Sequence, residues 1–201
     1  MKNVLVIHSS ILGQYSQSTS LLDEFAVEWQ KQHPESNIVI RDLAEDELPS
    51  LDGKALAALS GNAELTDEQK AIAELSLRLI DELKSADHVA IAVPMYNFGV
   101  PVQLKKWFDL ICRAGITFKY SETGPEGLLT GKKALLVATT GGVHRNTATD
   151  LGLLHTQTIL GFVGLTDVNV AYAEGLAMGQ NAKDAGLSEA RKAMQAFVLA
   201  N

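Results

Sequence analysis

The chain has 201 residues, 46% of them hydrophobic, a formal net charge of −7 and one cysteine; that length supports one substantial core, so a single domain over 1–201 is expected. The negative balance disfavours a nucleic-acid partner, which needs a basic face to release counterions, and the apolar runs are too short for a signal-peptide core or a bilayer span. A cytoplasmic protein with no membrane attachment follows as the expectation, and Cys112, unable to close an intramolecular disulfide, fits a reducing compartment.

In chain order, 4–7 is an apolar run with the look of a buried strand, and Leu21, Leu22, Phe25 and Trp29 then fall on one helical face. A second strand, "NIVIRDL" (37–43), leads into a polar, irregular connection over 44–64 that leaves room for a short helix at most. Thr66 and Gln69 have capping-box spacing ahead of an inward stripe at Ile72, Leu75, Leu79 and Leu83. "HVAIAVP" (88–94) is hydrophobic without interruption, as in a strand covered on both faces. A helix over 102–114 turns Leu104, Trp107, Phe108 and Ile111 inward, with Gly115 as its expected C-cap and Cys112 as a small buried hydrophobe on its apolar face. "ITFKYSETGPEGLLTGKK" (116–133) has turn chemistry at Thr123-Gly124-Pro125 and reads as an extended arm or a hairpin. "ALLVATT" (134–140) is a fourth strand, "LGLLHTQTILGFVG" (151–164) a helix whose glycines permit close packing, and "TDVNVAYAEG" (166–175) a fifth strand. A last helix is expected from near Ser188, presenting Met194, Phe197 and Val198.

Five strands alternating with helices imply an α/β fold with a doubly wound parallel sheet, because parallel strands need right-handed crossovers. The common five-stranded order, 2-1-3-4-5, opens a crevice at the carboxyl ends of strands 1, 3 and 4. Three loops, "SSILGQYSQS", "PMYNFGVP" and "TTGGVH", should meet there.

The first loop ends at a helix amino terminus, where unpaired N–H groups and the dipole attract an anion without a lysine and serine hydroxyls add donors; Ser16 or Ser18 acting only as an N-cap is the plainer alternative. Neither G-x-x-x-x-G-K-[ST] nor G-x-G-x-x-G is present, which argues against a triphosphate or a Rossmann-held dinucleotide. In the second loop Met95, Tyr96 and Phe98 put apolar side chains at the sheet rim, between Pro94 and Pro101, where a flat ring could stack, and Asn97 can both donate and accept at a heterocycle edge. A loop cluster that merely covers the sheet end is the competing reading. Gly141 and Gly142 can bring N–H groups close to a ligand, such as the pyrimidine end of a flavin, or can simply form a tight turn. Magnitude favours the loops acting together. A helix end supplies up to about 2 kcal/mol, a charge-assisted hydrogen bond about 1.5–3, and about 200 Å² of buried ring roughly 5, while micromolar binding needs about 8 after association entropy.

These loops, together with "RAGITFKY", "GPEGLLTGKKALLVATTGGVH", "LGFVGLTD" and "YAEG", closely resemble the bacterial FMN-dependent NADH azoreductases, also described as FMN-dependent NADH:quinone oxidoreductases, over essentially the whole chain. The resemblance implies a flavodoxin-like fold and a homodimer with a tightly but non-covalently bound FMN at each end of its interface. It also implies ping-pong transfer of electrons from NADH or NADPH, by hydride passage through flavin N5, to small-molecule quinones or azo compounds. Carried over, it places the FMN phosphate and ribityl chain on Ser10, Ser16, Gln17 and Ser18, the ring on Met95, Tyr96, Asn97 and Phe98, and the rest of the flavin site on Thr139, Thr140, Gly141 and Gly142. His144, Tyr120 and Phe162 correspond to residues on the substrate side. The chain departs from many members at Thr139-Thr140, where they have Ser-Arg, and near Ser60, where several carry a base; both changes bear on sulfonated dyes and on NADPH against NADH.

The runner-up is a flavodoxin-type electron carrier that does not itself oxidise NADH; the long stretches 44–64 and 116–133 exceed what a carrier needs and favour an enzyme. A serine hydrolase built on Ser9 or Ser10 with His144 or His155 lacks G-x-S-x-G. The histidines at 8, 33, 88, 144 and 155 show no metal-ligand spacing, so no metal is expected.

Overall fold

The computed structural model describes residues 2–61 and 64–201. Its centre is a five-stranded parallel sheet of β1 (Asn3–His8), β2 (Asn37–Asp42), β3 (His88–Pro94), β6 (Lys133–Thr139) and β7 (Asp167–Ala173), in the order β2-β1-β3-β6-β7. Counted along the sheet, this is the expected 2-1-3-4-5. Side-chain alternation along each strand feeds two cores. Leu5 and Ile7 of β1 join a cluster with Leu79, Ile80, Trp107, Phe108 and Leu160, while Val4 and Val6 join Leu22, Phe25, Trp29, Met194 and Phe197 on the other face. Accordingly α1 (Gln17–Gln32) and α6 (Gln180–Ala200) cover one side, and α3 (Asp67–Ser85), α4 (Val102–Ile111) and α5 (Leu151–Val163) the other.

Local signals account for most boundaries. Thr66 Oγ1 accepts from the Gln69 N–H at 3.3 Å and Gln69 Oε1 from the Thr66 N–H at 2.9 Å, completing the capping box of α3. The 44–64 connection holds one short helix, α2 (Gly53–Leu59), capped by Asp52 Oδ1 on the Ala55 N–H at 2.8 Å; positions 62 and 63 of that stretch lie outside the described residues. The 116–133 excursion is a hairpin of β4 (Phe118–Ser121) and β5 (Gly124–Gly127).

Three expectations need correction. α4 stops at Ile111 rather than Ala114, because Thr117 Oγ1 donates to the Ile111 carbonyl at 2.7 Å and accepts from the Arg113 N–H at 2.9 Å, closing the chain back on itself. The C-cap is Cys112, not Gly115; its half-buried thiol is pushed up to about 11 by burial, which keeps it protonated and unreactive. α6 begins at Gln180, eight residues before Ser188. Its first turns carry small and polar residues, with Gly186 among them, and no apolar stripe marks them. Gly186 is there for a contact: a Cβ on it would sit 2.3 Å from the Glu174 carbonyl oxygen.

Candidate functional site

The three loops do meet at the carboxyl ends of β1, β3 and β6. Ser9 Oγ donates to the Ala92 carbonyl at 2.8 Å and pins the start of the first loop to β3. Ser10 Oγ lies 2.7 Å from the Tyr96 hydroxyl and ties the first loop to the second. Among the described residues neither serine has a histidine partner, so these two serines form no nucleophile–base pair of the kind a serine hydrolase requires.

At the start of α1 Ser16 is the N-cap, accepting from the Thr19 N–H at 3.2 Å. Its oxygen is also 3.1 Å from Ser18 Oγ, and both side chains are buried. Whichever hydroxyl donates across this pair, one of the two protons is left with no acceptor among the described residues. The backbone N–H groups of Gln17 and Ser18 also lack an acceptor among the described residues. Cap and anion cradle are therefore not alternatives here. The cap uses one lone pair and leaves three donors together at the positive end of a sixteen-residue helix.

In the second loop Tyr96 and Gly99 exchange two backbone hydrogen bonds of 3.0 Å, with Asn97 at φ +50° and Phe98 at φ +67° between them. This is the geometry of a type I′ turn, whose central positions ordinarily take Asn-Gly. Asn97 suits the first position. Phe98 does not suit the second, and a bulky residue held there costs about 1–3 kcal/mol, a strain that collects at functional sites. Phe98 is 52% exposed at the rim. Beside it, Ile11, Met95, Tyr96, Asn97, Val100, Pro101, Val102 and Gln103 enclose a cleft of about 630 Å³, a size suited to a cofactor ring. Another cavity, of about 470 Å³, lies along β1, β2 and α3 among Arg78, Asp81 and Glu82, away from these loops.

In the third loop the Gly141 carbonyl accepts from the Ala177 N–H at 3.0 Å and the Gly142 carbonyl from the Gly175 N–H at 2.9 Å and Thr140 Oγ1 at 2.8 Å. With the carbonyls held inward, the Gly141 and Gly142 N–H groups have no acceptor among the described residues. A Cβ at Gly142 would approach His144 Nε2 to 3.1 Å, and one at Gly141 would approach Ala177 Cβ to 3.3 Å, so the glycines also serve the loop's own packing. Thr139 and Thr140 are buried; the Thr139 carbonyl accepts from the Met95 N–H at 2.9 Å, which links the second and third loops.

His144 stands at the rim, its ring edge-on to Phe98 with centroids 5.9 Å apart. Its loop is clamped by Glu174, whose Oε1 accepts from the His144 and Arg145 N–H groups at 2.6 Å each. Arg145 lies 4.8 Å over the Tyr172 ring, and Tyr172 donates to Asp150 at 2.9 Å; burial, reinforced by that carboxylate, holds the phenol above its ordinary range. Glu174 falls within the "YAEG" stretch, one residue past the end of the fifth sheet strand, but no sequence spacing links it to the His144 loop. Tyr120 and Phe162 are elsewhere. Phe118 joins them, 5.6 Å from Tyr120 and 4.3 Å from Phe162 between ring centroids. Phe162 closes the far end of α5, about 16 Å along the helix axis from the Leu151 end that borders the rim.

Leftover donors for one anion, an apolar rim for a flat ring and a further N–H pair beyond it match the parts of FMN. Gln17, Ser18, Ser16 and Ser10 would take the phosphate end, Met95–Phe98 the ring, and Gly141–Gly142 its polar edge.

Fold and site together define a flavodoxin-like α/β protein with a flavin-sized crevice at its topological switch point. A family described as having a flavodoxin-like fold matches residues 2–198. The FMN-dependent NADH:quinone oxidoreductase of Tolumonas auensis is 68% identical over 201 residues, covering all of both chains, and that of Vibrio vulnificus is 51% identical over 98% of this chain and 99% of its own. Among solved structures, an FMN-dependent NADH-azoreductase from Bacillus anthracis in complex with FMN superposes with a TM-score of 0.88 at 26% identity, covering 98% of this chain and 100% of the other. The chain belongs to the FMN-dependent NADH:quinone oxidoreductases of the flavodoxin-like fold.

Proposed function

We propose that the chain binds one FMN non-covalently across its three loops and uses it to carry electrons from NADH to quinones and azo compounds in two separate half-reactions. The observation that carries this reading is the unpartnered donor set at the start of α1, joined through Ser10 and Tyr96 to the strained turn that presents Phe98. The residues have distinct tasks. The Gln17 and Ser18 N–H groups and the free hydroxyl of the Ser16–Ser18 pair hold the phosphate. Met95, Tyr96, Asn97 and Phe98 hold the ring in a turn already formed by the chain itself. The Gly141 and Gly142 N–H groups favour negative charge developing at the pyrimidine edge, as oxyanion-hole donors do. What bound FMN supplies is two-electron hydride exchange at N5.

Nicotinamide and acceptor then occupy the same slot in turn, and the purified protein should be yellow, bleach with NADH under nitrogen and reduce a quinone with no added reductase. Double-reciprocal plots should be parallel; intersecting lines would reject the shared slot. Failure to oxidise NADH directly would return the reading to a flavodoxin-type carrier, and a colourless protein that takes up no FMN would end it.

The active form is a homodimer. Leu151 and Leu154, exposed at i, i+3 on α5, add to the exposed apolar side chains Val102, Phe98 and Val143 near the rim, the kind of surface a second copy would cover. Gly152 seats α5 against Gly99 and Val100, where a Cβ would come within 3.2 Å of the Gly99 backbone. Phe162, at the far end of α5, and Tyr120, 75% exposed on the β4 strand packed beside it through Phe118, lie away from the rim of their own chain. They line a substrate slot only when contributed by a second copy. Sedimentation equilibrium should give twice the chain mass, and a monomer would remove Tyr120 and Phe162 from the site.

A further inference from the structure

We infer that a hydroxyl relay holds neutral His144 as the Nδ1–H tautomer, so that its Nε2 is a hydrogen-bond acceptor that recognises the O–H of a hydroquinone, the form in which a reduced quinone leaves. The choice of ligand rests on the proposed quinone reduction; the tautomer stands on the hydrogen bonds of the chain alone.

The relay runs over four contacts. Thr147 Oγ1 lies 2.7 Å from the His144 carbonyl, which can only accept, so the single Thr147 hydroxyl proton points there. Thr147 and Thr149 hydroxyls are 2.8 Å apart. With the Thr147 proton engaged, Thr149 must donate across this contact, and Thr147 also receives the Thr149 N–H at 3.3 Å on its second lone pair. Thr149 Oγ1 is 2.8 Å from His144 Nδ1. Its own proton being used, Thr149 can only accept, and Nδ1 must donate. For a neutral imidazole no other arrangement of protons makes all four contacts hydrogen bonds.

Position is fixed as firmly as protonation. The Glu174 carboxylate holds the backbone N–H groups of His144 and Arg145, and Arg145 Nη1 reaches Glu189 at 2.6 Å on α6. The imidazole is thereby set between Phe98 and Gly142, both assigned to the ring. Nε2 meets no partner among the described residues and is not sealed from solvent, unlike the buried Nε2 of His8. A bare Nε2 at the rim cannot donate to a quinone carbonyl while neutral, but it accepts from the hydroxyl of the reduced product, which also carries two such donors.

The test reads the nitrogen atoms directly. In ¹⁵N-histidine-labelled protein as purified, at alkaline pH where the neutral ring is observed, two-bond H–N correlations should show His144 with a pyridine-type Nε2 and a pyrrole-type Nδ1, its signals assigned by their absence from His144→Asn. Thr149→Val keeps the side-chain shape and removes the acceptor, and should shift the ring toward the Nε2–H form. Competitive inhibition should favour hydroquinone over 1,4-dimethoxybenzene by about threefold to tenfold, the range of one neutral hydrogen bond, and Thr149→Val should narrow that preference. A pyrrole-type Nε2 in the unaltered protein, or a tautomer indifferent to Thr149→Val, would overturn the relay. Equal inhibition by the two probes would overturn the recognition. Absence of flavin with the imidazole pattern intact would instead count against the proposed function, so the two failures are told apart.

Discussion

Gly127→Ala is expected to lower the thermal midpoint by roughly 6–12 °C, equivalent to about 3 kcal/mol of overpacking in a chain of this size. A Cβ at Gly127 would lie 2.2 Å from the Gly164 nitrogen, 2.4 Å from the Val163 carbonyl carbon and 2.5 Å from the Gly164 Cα. All three are backbone atoms, so no rotamer change relieves the clash. The Gly164 side is equally constrained, because Gly164 is the left-handed C-cap of α5 at φ +106°. The hairpin would therefore have to lift, losing the Leu129 N–H to Val163 carbonyl bond at 2.8 Å. Gly161 is the control: a Cβ there meets nothing within 4 Å, and Gly161→Ala should raise the midpoint by about 2–4 °C, the helix-propensity gain of about 1 kcal/mol. Differential scanning calorimetry on the three proteins decides it. Equal midpoints for the two alanine variants would mean that the hairpin docks too loosely to matter.

This pair of glycines shows what the sequence can and cannot say. "LGLLHTQTILGFVG" allows close packing at every glycine, yet only Gly152 and Gly164 are closely approached, and the partner of Gly164 lies 37 residues earlier. That contact is long-range, which is why 116–133 could be read only as an arm or a hairpin. Strand order was legible because it follows from alternation and crossover handedness, and the α3 cap because Thr66 and Gln69 satisfy one another locally. The start of α6 was hidden because Gly186, ordinarily a weak helix residue, is retained for its contact with Glu174. At the site, the three loops were legible from their place at strand ends, whereas the Glu174 clamp reaches backbone groups 29 and 30 residues away and leaves no spacing to read.

Phe98→Gly is expected to move stability and FMN binding in opposite directions. Removing the side chain relieves a left-handed phenylalanine, a gain of about 1–3 kcal/mol, against the extra unfolded-state entropy of glycine, about 0.5–1 kcal/mol. The FMN-free protein should therefore gain about 1 kcal/mol and melt roughly 2–4 °C higher. The ring that is lost is half exposed, leaving roughly 100 Å² free to pack on a ligand. At about 25 cal/mol per Å² this is ~2.5 kcal/mol, or a roughly 60-fold weaker Kd for FMN. Phe98→Leu separates the two effects, since it keeps a bulky side chain in the strained turn and removes only the aromatic face. It should weaken FMN without the rise in melting temperature. Fluorescence titration of the apoprotein with FMN, beside thermal melts of the same samples, measures both quantities. A less than threefold change in Kd for Phe98→Gly would show that the strain at this turn is maintained for something other than the flavin ring.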